Sequence, residues 1–371
     1  MLTKSGQFDI NRLIKEGFLT ASPRTHGGKH YVKNIKGDII DFSTNVNPLG
    51  ASKKAVDTIK QNINLISAYP DPDSKRFKKA VSDYLHIDEE CVVAGNGANE
   101  LIHLFADAFV KKDDKVVIPI PTFFEYEFAC DKNSANISYV DLDNLVLNPD
   151  PILAAMDKET KVVFICNPNN PTGLLVVRDH IEKILDKAYN NNTLVMLDEC
   201  FIEFVEEPER NSFVNAVNEY DNLVVLRTLT KAFGLAGLRA GYCLANQKVS
   251  QLLNKVKVPW SVNALAQKAA VAALQDKEHL QKTMRLVKRE KEYLQSNIAK
   301  IKKFTPCRSD TNFFLIKLDG IDSLSLKERL LKRKILIRDC STFTGMGTDY
   351  VRISTQKRRE NTLLINALKA V

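Results

Sequence analysis

Short apolar segments alternate with segments of helical spacing along the first two thirds of the chain. The apolar segments are 91–97 (CVVAGNG), 115–121 (KVVIPIP), 136–142 (NISYVDL), 161–167 (KVVFICN), 193–199 (TLVMLDE), 222–228 (NLVVLRT) and 241–245 (GYCLA). Continuous apolar runs of this length are typical of strands that are buried on both faces of a mostly parallel sheet. Helical segments such as 98–109 and 178–190 lie between them. We therefore predict an α/β fold with a three-layer α/β/α large domain.

The pattern changes after residue 246. Long helical stretches cover 246–257, 261–275 and 277–302, and they are followed by strands at 312–318, 335–339 and 350–354 with helices at 324–333 and at the C-terminus. This order predicts a second, smaller α/β domain. We place an N-terminal arm and small-domain segment at 1–47, the large domain at 48–275 and the C-terminal small domain at 276–371.

Composition and charge narrow the class of protein. The 371 residues are 44% hydrophobic and 26% charged, which is ordinary for a globular protein. The net charge of +8 is spread along the chain, so we expect a solvated surface and no nucleic-acid site. The N-terminus is polar and no run of about 18 apolar residues occurs, so we expect no signal peptide and no membrane span. The seven cysteines are scattered without CxxC or zinc spacing, which predicts a reduced, cytoplasmic protein and no metal site.

Polar residues follow several predicted strands, and open α/β sheets bind ligands at the carboxyl ends of their strands. GNGAN (95–99) opens a helix and offers backbone N–H groups to an anion, although a plain tight turn has the same pattern. CNPNNPTG (166–173) combines two prolines with three asparagines, which is more rigid polarity than a structural loop needs. Asp198 and Glu199 end an apolar strand, where a carboxylate needs a cationic partner. A protonated organic base suits them better than a metal, because no His or Cys ligand set accompanies them.

Lys231 lies within LRTLTKAFGLAGLRAGY (226–242), between two predicted strands. A lysine on such a tight apolar loop can be desolvated and can act as an amine nucleophile. Three residues beside it can cradle an anion: Thr228, Thr230 and Arg239. Pyridoxal phosphate needs a Schiff-base lysine, a carboxylate on its ring nitrogen and a phosphate cradle. Lys231, Asp198 and the cradle, completed by residues 97–99, supply all three.

With these motifs the chain resembles fold-type I pyridoxal-phosphate enzymes of the aspartate aminotransferase superfamily over nearly its whole length. The resemblance rests on NVNPLG (45–50), YPDP (69–72), GNGANE (95–100), CNPNNPTG (166–173), DE (198–199), TLTKAFGLAGLRAGY (228–242) and YVRIS (350–354). The most similar subgroup contains histidinol-phosphate aminotransferase and L-threonine-O-3-phosphate decarboxylase of cobalamin biosynthesis. The resemblance implies pyridoxal 5'-phosphate as cofactor, a small phosphorylated amino acid as substrate, and a homodimer with shared active sites.

The resemblance also implies roles for individual residues. Lys231 would hold the cofactor covalently, Asp198 would pair with its ring nitrogen and Phe123 would stack on its ring. The other cofactor contacts would be Gly97, Ala98, Asn99, Asn170, Phe201, Thr228, Thr230, Arg239 and, from the second subunit, Tyr69. The substrate contacts would be His26, Gly27, Gly28, Asn45, Val46, Asn47, Asn170, Arg338 and Arg352. Among these, Arg352 would bind the substrate carboxylate and Arg338 a substrate phosphate.

Two features bear on the reaction. Phe201 stands where many aminotransferases have a tyrosine that contacts the ring oxygen, so one cofactor contact is missing. The HGG segment (26–28) resembles the decarboxylase, in which it helps to bind the substrate phosphate. We therefore expect decarboxylation of O-phospho-L-threonine, or of O-phospho-L-serine, to an amino-alcohol phosphate. Transamination of histidinol phosphate with 2-oxoglutarate stays open, and a non-catalytic protein that retains the fold is a remote third alternative.

Overall fold

The computed structural model describes residues 11, 13–20, 26–32 and 37–371, and the largest sheet within these ranges has seven strands. In spatial order they are β2 (Val92–Gly95), β8 (Gly241–Ala245), β7 (Leu223–Thr228), β6 (Leu194–Asp198), β5 (Thr160–Cys166), β3 (Lys115–Ile120) and β4 (Asn136–Asp141). Pairing is parallel among β4, β3, β5, β6 and β7, whereas β8 is antiparallel to both of its neighbours. The predicted mostly parallel sheet is confirmed. Its central strands are buried, which explains why their sequences are apolar without alternation.

Helices precede, connect and follow these strands along the chain. They are α1 (Glu16–Thr20), α2 (Lys53–Gln61), α3 (Lys75–Leu85), α4 (Gly97–Phe109), α5 (Glu125–Asp131), α6 (Pro149–Ala155), α7 (Arg178–Asn190), α8 (Pro208–Asn211), α9 (Gln247–Val256), α10 (Ala264–Leu274), α11 (Lys277–Ile298), α12 (Ser323–Lys332) and α13 (Arg358–Lys369), with short 3-10 helices at Lys29–Tyr31, Ile63–Ser67, Glu89–Cys91, Ile202–Phe204 and Asn215–Asn218. Several α-helices begin after a short polar side chain that accepts a hydrogen bond from the first turn. These residues are Ser52, Asn148, Asn246, Asn263, Asp276 and Asp322. Because such a cap stabilises a helix by about 1 kcal/mol, the local sequence sets where these helices begin.

A smaller antiparallel sheet is built from C-terminal residues. Its order is β12 (Arg338–Asp339), β13 (Tyr350–Ser354), β10 (Phe313–Leu318) and β9 (Phe304–Pro306). The predicted strand 335–339 is instead two short strands. β11 (Ile335–Leu336) pairs in parallel with β1 (Ile40–Asp41), whereas β12 pairs with β13. The strand β9 is missing from the sequence-based prediction, because three residues are too few to show a strand pattern.

The two largest apolar cores lie against these sheets. The larger core contains the seven-stranded sheet and helices such as α4, α7 and α10. The smaller core contains Phe42 from the N-terminal part, Phe314 and Ile353 from the small sheet, and Leu294 from α11. Because α11 also contributes Val287 to the larger core, this helix joins the two cores. The domain limits given above stay a prediction.

None of the helices in the described ranges combines the length and the apolar character that a membrane span requires. Within the same ranges, no group of three or more His, Cys, Asp or Glu side chains is placed to hold a metal ion. The seven cysteines are free thiols, and all of them except Cys307 are buried.

Candidate active site

A cavity of about 420 Å³ lies at the carboxyl end of the seven-stranded sheet. Cys166, Asp198 and Thr228, the last residues of β5, β6 and β7, all line it. Residues 43–46 and Phe343 also line it, together with side chains of the small sheet. Of the residues predicted from the sequence, the structure brings to this cavity His26, Gly27, Asn45, Val46, Ala98, Asn99, Phe123, Asn170, Asp198, Phe201, Thr228, Thr230, Lys231, Arg239, Arg338 and Arg352.

The predicted residues that do not line the cavity are Gly28, Asn47, Gly97 and Tyr69. The side chain of Asn47 donates to the carbonyl of Ala232 at 2.7 Å and to Oγ1 of Thr283 at 2.8 Å. It therefore fastens the 45–50 turn to the turn that carries Lys231 and to α11 instead of facing the cavity. The N–H of Gly28 donates to Oγ of Ser43 at 2.9 Å, so this residue anchors the segment that carries His26.

Lys231 follows β7 in a turn that leads back into β8. The turn is closed by the N–H of Gly234, which donates to the Lys231 carbonyl at 3.2 Å. Gly234 has a φ of +71°, and a Cβ there would lie 2.4 Å from the carbonyl oxygen of Gly50, so only glycine fits. Burial, together with the nearby charges of Arg352 and Arg239, lowers the pKa of Lys231 to about 8. A larger fraction of this amine than of an ordinary lysine is therefore unprotonated near neutral pH, and the unprotonated amine is the nucleophilic form.

Asp198 is buried at the end of β6 and is held by two hydrogen bonds. Its Oδ2 accepts from the hydroxyl of Tyr126 at 2.5 Å, and its Oδ1 accepts from the N–H of Cys200 at 2.8 Å. Burial raises the pKa of Asp198, although these hydrogen bonds and the charge of Lys231 oppose the shift. A buried carboxylate in this state is stabilised by a cationic N–H that enters the cavity. Sequence reasoning missed Tyr126, since no pattern pairs residues that lie 72 positions apart.

The start of α4 and the turn after β7 form an anion cradle. The hydroxyls of Thr228 and Thr230 are bonded at 2.9 Å, and Nη1 of Arg239 lies 3.4 Å from Oγ1 of Thr230. Gly97 begins α4, where a Cβ would lie 2.4 Å from Nη2 of Arg239, so the missing side chain makes room for the guanidinium. Hydroxyls, a guanidinium and the N–H groups of a helix start together suit a phosphate.

Arg352 lies on β13 and is buried at the cavity. Its Nη1 is bonded to Oδ1 of Asn170, and its Nη2 donates to the carbonyl of Ser43 at 2.8 Å. Its Nε has no hydrogen-bond partner among the described residues. Burial, with the charge of Arg338 close by, holds the pKa of Arg352 well below its ordinary value. A buried guanidinium that is so poorly compensated attracts an anionic ligand.

Two further basic side chains, Arg338 and His26, line the cavity. Nη2 of Arg338 on β12 donates to Oγ1 of Thr342 at 2.9 Å, and its guanidinium lies 5.2 Å from the ring centre of Phe343. Nε2 of His26 lies 2.9 Å from Oε1 of Glu125. The HGG segment thus contributes its imidazole to the cavity wall.

The asparagines of 166–173 divide between structure and site. Oδ1 of Asn167 accepts from a backbone N–H at 2.8 Å, and Nδ2 of Asn169 donates to a backbone carbonyl at 3.0 Å. Among the three, Asn170 lines the cavity. The asparagines of 166–173 that suggested a functional loop therefore serve mostly to hold this loop in place, and the loop positions Asn170 at the cavity.

The two carboxylates at 198–199 also have different surroundings. Glu199 does not line the cavity; it pairs with Arg227 at 2.9 Å, in a buried group that includes Glu203. Asp198 alone of the pair belongs to the site. The structure also places at the cavity several residues that were not predicted individually as site residues, although Cys166 and Ala236 lie within predicted motifs: Ser43, Thr44, Phe124, Cys166, Cys200, Ala236 and Phe343.

Comparison with known proteins identifies the family. The model of the family described as aminotransferase class I and II matches residues 37–368. The chain belongs to this family. Family membership implies pyridoxal 5'-phosphate as the cofactor, in agreement with the prediction from the sequence.

Relatives within the family bear two different names. The chain is 36% identical over 321 residues to the histidinol-phosphate aminotransferase of Methanocaldococcus jannaschii, covering 85% of each chain. It is 37% identical over 361 residues to a protein of Caldanaerobacter subterraneus subsp. tengcongensis named "Putative threonine-phosphate decarboxylase", covering 96% of each chain. The crystal structure of the histidinol-phosphate aminotransferase from Clostridium acetobutylicum superposes with a TM-score of 0.84 at 31% identity, covering 90% of this chain and 98% of that one. The aminotransferase-like fold is thus shown, whereas the reaction is not decided by these names.

The residues at the cavity fit the cofactor of the family. Lys231 offers an amine with a lowered pKa, and Asp198 offers a buried carboxylate to a protonated ring nitrogen. The cradle around Arg239 fits a phosphate, and Phe123 offers a ring at the cavity wall. In addition, Oδ1 of Asn45 is buried without a hydrogen-bond partner in the described part of the chain, as expected where a ligand completes a site.

Proposed function

We propose that the protein catalyses the pyridoxal-phosphate-dependent decarboxylation of O-phospho-L-threonine to an amino-alcohol phosphate of the kind used in cobalamin biosynthesis. The observation that carries this proposal is the position of His26 at the cavity wall with Arg338 and Arg352. Arg352 suits a carboxylate, and Arg338 with His26 suits a phosphate, so a substrate with both groups would have a partner for each. O-phospho-L-serine has the same two groups and is the close variant.

Phe201 supports the same reaction. Its ring lines the cavity, packs edge-on against Phe313 at 4.9 Å, and lies 5.5 Å from Nζ of Lys231. A phenylalanine has no hydroxyl for the cofactor ring, which departs from the pattern of many aminotransferases. The contact that tyrosine provides in those enzymes is absent from this side chain.

Each residue then has a task in the reaction. When bound, pyridoxal phosphate supplies an electron sink for the pair left on Cα, and Asp198 keeps its ring nitrogen protonated. Arg352 and Asn170 would hold the substrate carboxylate and so determine which bond of Cα breaks. Breaking the bond from Cα to the carboxylate releases carbon dioxide, and Lys231, whose pKa of about 8 lets it carry a proton near neutral pH, delivers that proton to Cα.

A second candidate is a histidinol-phosphate aminotransferase that uses 2-oxoglutarate. It is favoured by the 36% identity to the Methanocaldococcus jannaschii enzyme, which is close to the 37% identity to the decarboxylase-named relative. The same cavity residues would serve, with Arg338 on the phosphate. Lys231 would move a proton between Cα and the cofactor instead of delivering one after carbon dioxide leaves.

We further propose that the protein works as a homodimer in the cytoplasm. Tyr69 is 84% exposed, and its ring lies 5.1 Å from that of Trp260, which is itself 48% exposed. A large aromatic pair on the surface suits a protein interface, and it would let Tyr69 reach the cofactor phosphate of the second subunit. The seven free thiols fit a reducing compartment, and we propose no nucleic-acid or membrane partner.

The test is product analysis with the purified, cofactor-loaded protein. It is given O-phospho-L-threonine, O-phospho-L-serine or histidinol phosphate, each with and without 2-oxoglutarate. We expect carbon dioxide from a phosphoamino acid without any keto acid. Glutamate formed from histidinol phosphate and 2-oxoglutarate, without carbon dioxide, would reject the decarboxylase and establish the second candidate.

A further inference from the structure

Glu125, the first residue of α5, is a buried carboxylate beside the cavity that the proposed mechanism does not use. It is 4% exposed, and both of its oxygens are bonded. Nε2 of His26 lies 2.9 Å from Oε1, and Nε2 of His103 lies 3.1 Å from Oε2. The side chain of Asn99 is a further hydrogen-bond partner. Glu125 therefore connects the N-terminal segment, α4 and α5 at one point.

These contacts keep Glu125 ionised. Burial alone would raise its pKa, but the hydrogen bonds from His103 and His26 outweigh burial and lower the pKa of Glu125 to about 2. An ionised carboxylate can only accept hydrogen bonds. Nε2 of His26 must therefore carry the hydrogen and donate a hydrogen bond to Oε1 of Glu125. This bond fixes the orientation of the ring and leaves Nδ1 for a different partner.

The other side of the His26 segment is held by Ser43. A Cβ on Gly27 would lie 2.7 Å from the carbonyl oxygen of Ser43, so the close approach of the two backbones requires glycine. The N–H of Gly28 donates to Oγ of Ser43 at 2.9 Å. The imidazole itself packs on Phe124, with ring centres 4.8 Å apart. His26 is thus fixed at the cavity wall from two sides, by Glu125 through its ring and by Ser43 through its backbone.

We propose that Glu125 is a positioning residue that orients His26 to bind the phosphate group of the substrate. This inference rests on the proposed function, in which His26 and Arg338 hold that phosphate. With Nε2 bonded to Glu125, Nδ1 is the nitrogen that can face the phosphate. In its imidazolium form the ring donates a charge-assisted hydrogen bond from Nδ1 to the phosphate while Nε2 stays bonded to Glu125. Because Glu125 acts through His26 on the phosphate group alone, it should strengthen the binding of O-phospho-L-threonine and of histidinol phosphate alike.

The test compares ligand affinities of the holoenzyme. O-phospho-L-threonine, histidinol phosphate and L-threonine are titrated, and binding is followed by the absorbance change of the bound cofactor after rapid mixing. In Glu125→Gln we expect phosphate monoesters to bind about tenfold more weakly, because a charge-assisted hydrogen bond is lost. L-threonine has no phosphate, so its affinity stays the same, and kcat stays within about twofold.

A double-mutant comparison separates positioning from a general structural role. Because Glu125 acts through His26, Glu125→Gln causes no further loss when His26 is already changed to alanine. Glu127→Gln is the matched control: Glu127 is buried on the same helix and, like Glu125, does not itself line the cavity, but its Oε2 accepts from Oγ1 of Thr344 at 2.8 Å. Its three affinities should equal those of the wild type. Glu125→Asp keeps the charge and should retain part of the phosphate affinity that Glu125→Gln loses. If Glu125→Gln does not fold, the phosphate affinity of Glu125→Asp is measured in its place.

Three outcomes would overturn the inference. They are unchanged phosphate affinity in Glu125→Gln, an equal loss for L-threonine, and a loss that persists in the His26→Ala background. A wild-type protein that binds histidinol phosphate but not O-phospho-L-threonine would reject the proposed substrate, and histidinol phosphate would then test Glu125. A wild-type protein that binds neither phosphate monoester would reject both proposals.

Discussion

At the scale of single residues, Lys231 shares its cavity with the guanidinium groups of Arg239 and Arg352. In the apoprotein its pKa is about 8, below the ordinary value of 10.5. Between these two values the unfolded chain binds more protons than the folded chain, so folding stability rises with pH in this window. Below pH 8 both states are protonated at Lys231, and the full cost of the buried charge remains.

We therefore predict that Lys231→Met apoprotein is more stable than wild-type apoprotein at pH 7, by about 1–3 kcal/mol. The difference should shrink as the pH rises from 8 towards 10.5. Urea unfolding of both apoproteins at pH 7 and pH 10 measures it. Lys255→Met, which changes an exposed lysine on α9, is the control and should show little difference at either pH. A wild-type apoprotein as stable as the Lys231→Met apoprotein at pH 7 would show that the charged amine of Lys231 is not destabilised by burial.

Arg352 gives a prediction about binding. Arg352→Ala should lower kcat/KM. The loss of transition-state stabilisation should be about 2–5 kcal/mol, because a buried guanidinium that pairs with the substrate is removed. Cofactor affinity should change far less, because Asp198, Lys231 and the cradle are untouched. Arg352→Lys keeps the charge but cannot contact Asn170 and Ser43 together, and should give an intermediate loss. Equal losses of cofactor and substrate affinity would show that Arg352 is not a specific contact of the substrate.

At the scale of elements, β8 runs directly against the start of α4. A Cβ on Gly241 would lie 2.7 Å from the N of Ala98, 2.8 Å from the C of Gly97 and 3.1 Å from the carbonyl oxygen of Arg227. All three are backbone atoms, so neither side can yield by a rotamer change. The strand and the helix can form the anion cradle together because this position has no side chain.

We predict that Gly241→Ala destabilises the protein by about 1–3 kcal/mol, as expected for overpacking. It should also weaken cofactor binding, because the strand must move away from the helix start. Gly237→Ala is the matched control, since a Cβ there meets nothing within 4 Å. Thermal unfolding and cofactor titration of both variants measure the two effects. Unchanged cofactor affinity in Gly241→Ala would show that the cradle does not depend on this contact.

The sequence predicts the buried strands better than it predicts which strands and side chains are in contact. Apolar runs predicted the buried strands and their order along the chain, because burial on both faces leaves a continuous signal. They did not show that 335–339 divides between two partners, since pairing depends on residues far away in the sequence. For the same reason the residues of the candidate site were predicted by type and motif, whereas the contacts of Tyr126 with Asp198 and of Glu125 with His26 became visible only in the fold.

At the scale of the whole molecule, the cavity draws its walls from both sheets. Lys231 and Asp198 belong to the large sheet and its turns, and Arg338 and Arg352 belong to the small one. A cluster with Phe124 on one side and residues of the small sheet on the other lies beside the cavity. The substrate would thus contact both parts of the chain at once, which makes their relative position part of its recognition.

The last prediction concerns the second subunit. If Tyr69 of one subunit completes the site of the other, Tyr69→Ala and Lys231→Ala proteins should each have low activity alone. Mixed dimers of the two contain one site with an intact Lys231 and an intact Tyr69 from the partner, so random mixing should restore roughly a quarter of wild-type activity. The control mixes Arg352→Ala with Lys231→Ala; because both residues line the same cavity, no complete site forms and no activity returns. Unfolding and refolding the mixtures together before the assay allows the subunits to exchange. Equal recovery in both mixtures, or none in the first, would show that Tyr69 does not act across a subunit interface.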